Sequence, residues 1–179
     1  LGNLVWLDTG VGGGIANDGI QNGTEPGVDG VTVTLYLSGS NPLVDTPLLT
    51  TTTADGGYYA FDNLAPGDYF VYLPPANFAV GGPLAGYVSS TGNGSDETTD
   101  EDGDENGIDN PALATNGISS TLYTLAPNTE VTGEGQSNYT GVLDDDNVNF
   151  TADFGFLAMV ELGNYVWFDI DHDGMQGTD

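Results

Sequence analysis

The feature that most constrains the folding of this chain is its charge. Its 179 residues include 27 Asp or Glu and neither Lys nor Arg, which gives a formal net charge of −27 at pH 7. The carboxylates therefore repel one another and oppose a compact state unless cations neutralise part of the charge. The same composition excludes nucleic acid as a partner, because phosphate binding depends on Lys and Arg. We expect a folded protein that carries metal ions.

The hydrophobic content is sufficient for a folded core. Hydrophobic residues make up 38% of the chain and include two Trp, nine Tyr and seven Phe, so wholesale disorder is not expected. The chain has no Cys, which excludes disulfides and thiolate metal sites. No run of 18 apolar residues predicts a transmembrane helix, so we expect no direct insertion into a membrane.

The chain contains an internal repeat. Residues 162–169 (LGNYVWFD) restate residues 1–8 (LGNLVWLD), and Gly163 follows Gly2 by 161 residues. A unit of this length has the usual size of one domain. We interpret residues 1–160 as one complete domain and residues 161–179 as the first strand and loop of a second, truncated copy. Neighbouring copies of the same repeat, joined head to tail, are the expected partners.

Alternation with period two recurs along the chain and predicts an all-β fold. Further short strands are predicted at residues 31–37, 48–53, 57–62, 68–73, 86–91, 118–125 and 148–156. The Asp55-Gly56 pair between two of these runs predicts a β-hairpin. About seven or eight strands joined by Gly, Pro and Asp turns favour a sandwich. We expect Trp6 in or beside its core, and no helix longer than two turns.

The sequence of residues 169–176 has the spacing of a calcium loop. Oxygen ligands occupy its first, third and fifth positions, Gly174 occupies the sixth, and a backbone carbonyl is available at the seventh. This is the front half of an EF-hand-like loop, and the alternative is a plain Asp/Gly turn. The predicted ligands are Asp169, Asp171, Asp173 and the carbonyl of Met175.

The matching loop of the first copy is interrupted. Residues 9–14 form a Gly-rich insertion, and Ala16 stands where the second copy has Asp171. Either Asp8 folds back over a looped-out insertion or this first site is weakened. We expect a retained site, whose predicted ligands are Asp8, Asn17, Asp18, the carbonyl of Ile20 and Glu25.

Two long acidic segments predict a further site. Residues 92–110 contain eight acids, and residues 127–147 close on three consecutive Asp. Acid runs are usually solvated loops, but here no basic residue offsets the charge, so we expect a cation to hold them. The predicted ligands are Asp100, Asp102, Asp104 and Asp109, with Asp144 or Asp146. The expected cofactor is thus Ca²⁺, with two or more ions per repeat.

Several segments together resemble one family. The segments GNLVWLD, EPGVDGVTVTL, TADGGYYAFDNLAPGDY and DDDNVNFTADFGF resemble the calcium-binding B-type repeats of serine-aspartate-repeat (Sdr) bacterial surface proteins, which are similar to the B-type domains of collagen adhesins. The resemblance implies an immunoglobulin-like Greek-key β-sandwich with long acidic calcium-binding loops, located outside the cell or on its surface. Some collagen-adhesin domains are locked by a Lys–Asn isopeptide bond. This chain has no Lys, so we expect calcium to substitute for that cross-link.

These features together predict a calcium-rigidified structural repeat of an extracellular fibre or stalk. The alternative is an adhesin module that binds a glycan or protein ligand through its loops. We expect no catalysis, because the single His172 lies in a predicted calcium loop and no Lys, Arg or Cys can act as base, clamp or nucleophile. Four Asn-x-Ser/Thr sequons are candidate glycan sites, at Asn22, Asn93, Asn138 and Asn149.

Overall fold

The computed structural model describes residues 1–90, 105–134, 141 and 143–159, and most of its regular structure is β-strand. The strands are β1 (Gly2–Leu7), β2 (Thr32–Leu37), β3 (Leu49–Thr52), β4 (Tyr58–Ala60), β5 (Gly67–Leu73), β6 (Tyr87–Ser89), β7 (Ile118–Ser119), β8 (Tyr123–Leu125) and β9 (Phe154–Ala158). One short helix, α1 (Leu113–Asn116), and 3₁₀ turns at Pro75–Asn77 and Asp145–Asn147 complete these residues. None of these helices is long enough to span a membrane. The predicted all-β class is confirmed.

The strands form two sheets. One sheet has the order β4-β1-β9-β6, and the other has the order β3-β2-β5, with β7 and β8 both paired to β5. Strand β1 runs parallel to β9, with Val5 opposite Phe154 and Leu7 opposite Phe156. Because the two strands run the same way, the chain begins at one end of the sandwich and β9 finishes at the other. We call the end at Leu1 the proximal end and the end at Ala158 the distal end.

The core lies between the sheets and follows from the alternation. On β2 and β5, Val33, Leu35, Val71 and Leu73 are fully buried in the main cluster. Burying each such side chain contributes about 1.5–3 kcal/mol. The alternate positions form a second cluster on the opposite face of the sheet, consisting of Tyr36, Phe70 and Tyr72.

Trp6 is buried as predicted, with no solvent-exposed surface. It lies on β1 beside Gly155 of β9. A Cβ atom at Gly155 would lie 2.8 Å from the indole ring, so only glycine leaves room for this packing. The Gly in the FGF motif of β9 is therefore explained by the indole ring on the neighbouring strand.

The predicted hairpin at Asp55-Gly56 is wrong in its pairing. The chain does reverse there, since Ala54 and Tyr58 exchange backbone hydrogen bonds of 2.9 Å. The flanking strands then separate, because β3 pairs with β2 in one sheet and β4 pairs with β1 in the other. Asp29 holds this turn by accepting hydrogen bonds from Gly56 N and Gly57 N at 2.9 and 2.7 Å.

Two predicted strands are shorter than expected. The run 118–125 is split into β7 and β8, because the Ser120 side chain accepts the Val71 N–H at 2.9 Å and interrupts the ladder. The run 148–156 becomes a regular strand only from Phe154. Before that point the backbone of Gly2 makes two hydrogen bonds to the run, donating to Asn149 O and accepting from Ala152 N. In the same segment Thr151 N donates to Asn149 Oδ1 at 3.2 Å and Asp153 N donates to Asn106 Oδ1 at 2.8 Å, so polar side chains take part of its pairing.

Candidate metal centre

The first acidic loop follows β1 at the distal end. Thr9 and Ala16 pair in an isolated β-bridge, so the intervening insertion loops out. Asp8 consequently lies against the backbone of the next turn, where its Oδ1 accepts Asn17 N at 2.5 Å and its Oδ2 accepts Gly19 N at 2.9 Å. Asp8 therefore folds back over the looped-out insertion.

Glu25 closes the same loop from its other end. Its Oε1 accepts Thr9 N and Gly10 N at 2.7 and 2.6 Å, and its Oε2 accepts Asn22 N at 3.1 Å. Glu25 is 6% exposed and Asp8 is fully buried. Backbone amides that point at a carboxylate stabilise its charged form. The loop thus holds two buried carboxylates within a frame of its own N–H groups.

The remaining predicted ligands of this loop lie between those two acids. Asp18 is half-buried, and its Oδ1 accepts Ile20 N at 3.1 Å while its Oδ2 accepts the Asn22 amide at 3.0 Å. Gly19 has φ +74°, which permits the sharp turn at the sixth position of a calcium loop. Asn17 is exposed and also adopts a positive φ, of 59°.

The donor set of this loop fits calcium, which binds oxygen ligands only. Each carboxylate oxygen can accept two hydrogen bonds or ligands, and the two oxygens of Asp8 each accept one N–H from the described residues. Within that same part of the chain, no three acidic or His side chains form a group able to hold a metal ion. Further ligands to an ion at Asp8 and Glu25 would therefore be backbone carbonyls, the Asn17 amide or water.

Sequence reasoning missed two buried acids outside this loop. Asp153 and Glu105 are both fully buried. Asp153 Oδ1 accepts Leu4 N at 2.8 Å, and Glu105 Oε1 accepts Gly107 N at 2.7 Å. The Glu105 N–H also donates to Gly19 O at 2.8 Å, which attaches the end of the acidic segment to the first loop. An acid inside the apolar run FTADFGF was the available signal for Asp153; nothing distinguished Glu105 from its acidic neighbours.

These buried acids place negative charge in the protein interior without a basic partner. A buried carboxylate is costly unless it is paired, hydrogen-bonded or bound to a metal. Here no Lys or Arg exists anywhere in the chain to pair with it. Hydrogen bonds therefore take the place of such a partner, from backbone amides and, at Asp153 and Glu105, also from the side chains of Asn3 and Ser89.

The described members of the second predicted site lie apart. Asp109 is exposed and follows Ile108, whose N–H donates to Ser119 O on β7, beside the distal end of β5. Asp146 lies near the proximal end, where its carbonyl accepts Glu130 N, and Asp144 is exposed. The structure therefore does not bring Asp109 together with Asp144 or Asp146. Asp100, Asp102 and Asp104 lie outside the described residues.

The predicted second copy and two of the glycan sites also lie outside the described residues. These are Asp169, Asp171, Asp173 and Met175, together with Asn93 and Asn138. Of the other two sequons, Asn149 is 6% exposed and its amide contacts Glu130, so the folded chain does not present it for glycosylation. Asn22 is half-buried and bonds to Ile15 N and to Asp18.

Comparison with known proteins gives a consistent picture. The family model described as SdrD B-like domain matches residues 1–128. A bone sialoprotein-binding protein of Staphylococcus aureus strain MRSA252 is 33% identical over 180 residues, covering 99% of this chain and 11% of that protein. Serine-aspartate repeat-containing protein E of S. aureus strain MSSA476 is 32% identical over 178 residues, with the same coverage of 99% and 11%. Protein I of that series, from Staphylococcus saprophyticus, is 32% identical over 183 residues, covering 100% of this chain and 7% of the relative. The chain thus spans about a tenth or less of the length of these relatives.

Proposed function

The chain belongs to the family of SdrD B-like domains, and from that premise we propose that it is a calcium-stabilised, non-catalytic repeat of an extracellular stalk. Its relatives are staphylococcal surface proteins of the serine-aspartate-repeat type, so the family resemblance and the cell-surface location inferred from the sequence are confirmed. What we propose beyond these findings is that calcium stabilises the domain and that the domain serves as a repeat of a stalk.

The burial of Asp8 and Glu25 in one loop carries this proposal. Both acids are almost inaccessible to water, and the chain has no basic side chain to offset them. A divalent cation at this loop would supply the missing counter-charge and would tie the start of the loop to its end. The residues that would hold it are Asp8 and Glu25, with the Asn17 amide and the carbonyl of Ile20. Within the described residues, Asp18 does not form one acidic group with Asp8 and Glu25.

The positions of the two ends of the domain support the proposed role in a stalk. Since β1 and β9 run parallel, the first residue and the end of the last strand lie at opposite ends of the sandwich. Copies joined head to tail would therefore extend in a line instead of folding back on each other. Only residues 159–162 separate the end of β9 from Gly163, the counterpart of the first residue of β1.

Calcium titration of the 179-residue chain tests the proposal. A site with free calcium at 100 times its Kd stabilises the folded state by about 2.7 kcal/mol, so we expect Tm to rise with calcium and fall with chelator. Asp8→Asn should reduce that rise. Asp55→Asn is the matched control, because Asp55 is exposed and its positive φ suits Asn equally well. An equal calcium response in both variants, or none in the original chain, would contradict the proposal.

An adhesin module is the second candidate. Leu43 and Val44 are 55% and 77% exposed on the loop between β2 and β3, and exposed apolar loops can contact ligands. One relative is named for binding bone sialoprotein, although this chain spans a small part of it. Binding of the isolated chain to that protein or to a glycan panel, abolished by Val44→Ser, would favour the adhesin module. Calcium-dependent stability without any such binding favours the stalk repeat.

A further inference from the structure

An apolar cleft of about 550 Å³ opens at the proximal end of the sandwich. Its apolar lining includes Leu1, Phe61, Leu64, Leu125, Leu143 and Phe150. Leu143 is 57% exposed, so part of this apolar surface faces solvent. Asp62 and Glu130 also border the cleft, which makes it unsuited to an acidic occupant.

The repeat identifies which residues come next to this cleft in a tandem array. Leu162 is the counterpart of Leu1, and it follows Met159, Val160 and Glu161. In a head-to-tail array the same three residues therefore precede the Leu1 position of the following copy. Each residue of an extended chain spans at most about 3.3–3.6 Å, so a residue two positions before Leu1 lies within about 7 Å of it. Leu1 itself lines the cleft.

The pairing of β1 with β4 sets the direction of that preceding segment. Leu1 N donates to Phe61 O at 3.2 Å and Phe61 N donates to Leu1 O at 2.8 Å, which extends the ladder beyond Gly2. A chain that continues backward in the same extended form runs alongside Asp62. The segment before Leu1 is thus aligned with the mouth of the cleft.

The alternation of side chains along β1 then indicates which residue of the preceding segment faces the core. Leu1 and Val5 belong to the main core cluster, whereas Leu4 and Trp6, on the other side of β1, do not. In an extended chain, residues two apart point to the same face. The residue two before Leu1 corresponds to Val160, so it shares the core side. The counterparts of Met159 and Glu161 point the other way, and the Glu161 counterpart lies opposite Asp62 in this register.

Resting on the proposed tandem role, we propose that the proximal cleft receives the Val160 side chain of the preceding copy. The valine then completes the core of the following unit and closes the junction between the two. One apolar side chain of each copy thus packs into the core of the next copy, in addition to any effect of calcium.

Short extensions of the chain test this proposal. The 179-residue chain preceded by Met-Val-Glu should have a Tm about 3 °C or more above the same chain preceded by Met-Ser-Glu. Extension by Ser-Val-Glu is the matched control, because it alters the outward-facing residue, and it should keep the gain. All comparisons are made between extended chains. In the unextended chain burial lowers the pKa of the Leu1 amino group to about 6, and extension converts this amine to an amide.

A variant of the cleft completes the test. Leu143→Ala should remove most of the difference between the Val and Ser extensions, and methyl contacts from the added valine to Phe150 should be visible by NMR. Equal Tm values for the two extensions, or a gain that Leu143→Ala leaves unchanged, would overturn the proposal. Neither readout depends on calcium, so its failure is separable from failure of the metal proposal.

Discussion

At the scale of single residues, Tyr59 connects the packing of the core with its response to pH. The ring is buried against Phe61, with centroids 5.9 Å apart, and its O–H donates to Ala152 O. Burial, followed by the nearby charge of Asp153, raises the pKa of Tyr59 well above its usual value. Burial also raises the pKa values of Tyr36 and Tyr72.

These shifts predict alkaline unfolding. Below pH of about 10, tyrosine is protonated in both states, so this stability is fully present. Above pH 10 the unfolded chain releases protons that the folded chain retains, and the free energy of unfolding falls by up to about 1.4 kcal/mol per pH unit for each buried Tyr. Tyr59→Phe should make this decline shallower, while costing about 1 kcal/mol at neutral pH through the lost hydrogen bond. Denaturant unfolding of the original chain and of Tyr59→Phe between pH 8 and 12 measures this decline. Parallel declines in the two proteins would contradict the assignment.

At the scale of elements, the turn from β3 to β4 shows what sequence can and cannot predict. The Asp55-Gly56 pair predicted a reversal, and a reversal is present. The passage of the chain from one sheet to the other was not predictable, because it lies in pairings with distant strands, β3 with β2 and β4 with β1. The turn is also held from a distance by Asp29, 27 residues away, whose carboxylate accepts Gly56 N. Gly57 follows with φ +91°, and its carbonyl accepts a hydrogen bond from Val5 N. Local patterns thus predicted the turn but not the distant pairings of the strands on either side of it.

Gly57 provides a test of this element. A Cβ atom there would collide with Val5 O, in addition to the strain of a positive φ. Gly39 has a similar φ of +86° with open space around it, so Gly39→Ala isolates the strain of about 1–2 kcal/mol. Gly57→Ala should cost about 1–3 kcal/mol more. Chemical denaturation of both variants measures the difference, and equal losses would mean that the backbone contact is unimportant.

The candidate metal centre was predictable to a similar extent. The spacing of acids and Gly identified the first loop, and the structure folds Asp8 onto it through Asn17 N and Gly19 N. Composition could not identify which of the other acids become buried. The contact of Glu105 N with Gly19 O and of Asp153 with Leu4 N depends on the packing of strands distant in sequence.

At the scale of the whole molecule, the acidic loop is distal and the apolar cleft is proximal, so in a tandem array both lie at each junction. If copies are joined through residues 159–162, a junction of four residues would leave little freedom for the neighbouring units. In a two-copy chain, we expect small-angle scattering to show one narrow distribution of lengths in calcium and a broader one in chelator. Serine at position 160 should broaden the distribution even in calcium. Equal breadth in all three conditions would argue for a flexible joint.

The parallel pairing of β1 with β9 also determines how the domain would respond to tension. Anchored at the Leu1 end and pulled at the Ala158 end, the two strands would be drawn past each other along their length. Hydrogen bonds in a parallel pair are evenly spaced, so the bonds between Val5–Leu7 and Phe154–Phe156, and the one from Asp8 N to Phe156 O, would bear the load together. Such shear requires the bonds to break at once, whereas peeling breaks them one at a time. In a stalk built from this sandwich, the pulling force would therefore act on these hydrogen bonds in shear and not by peeling.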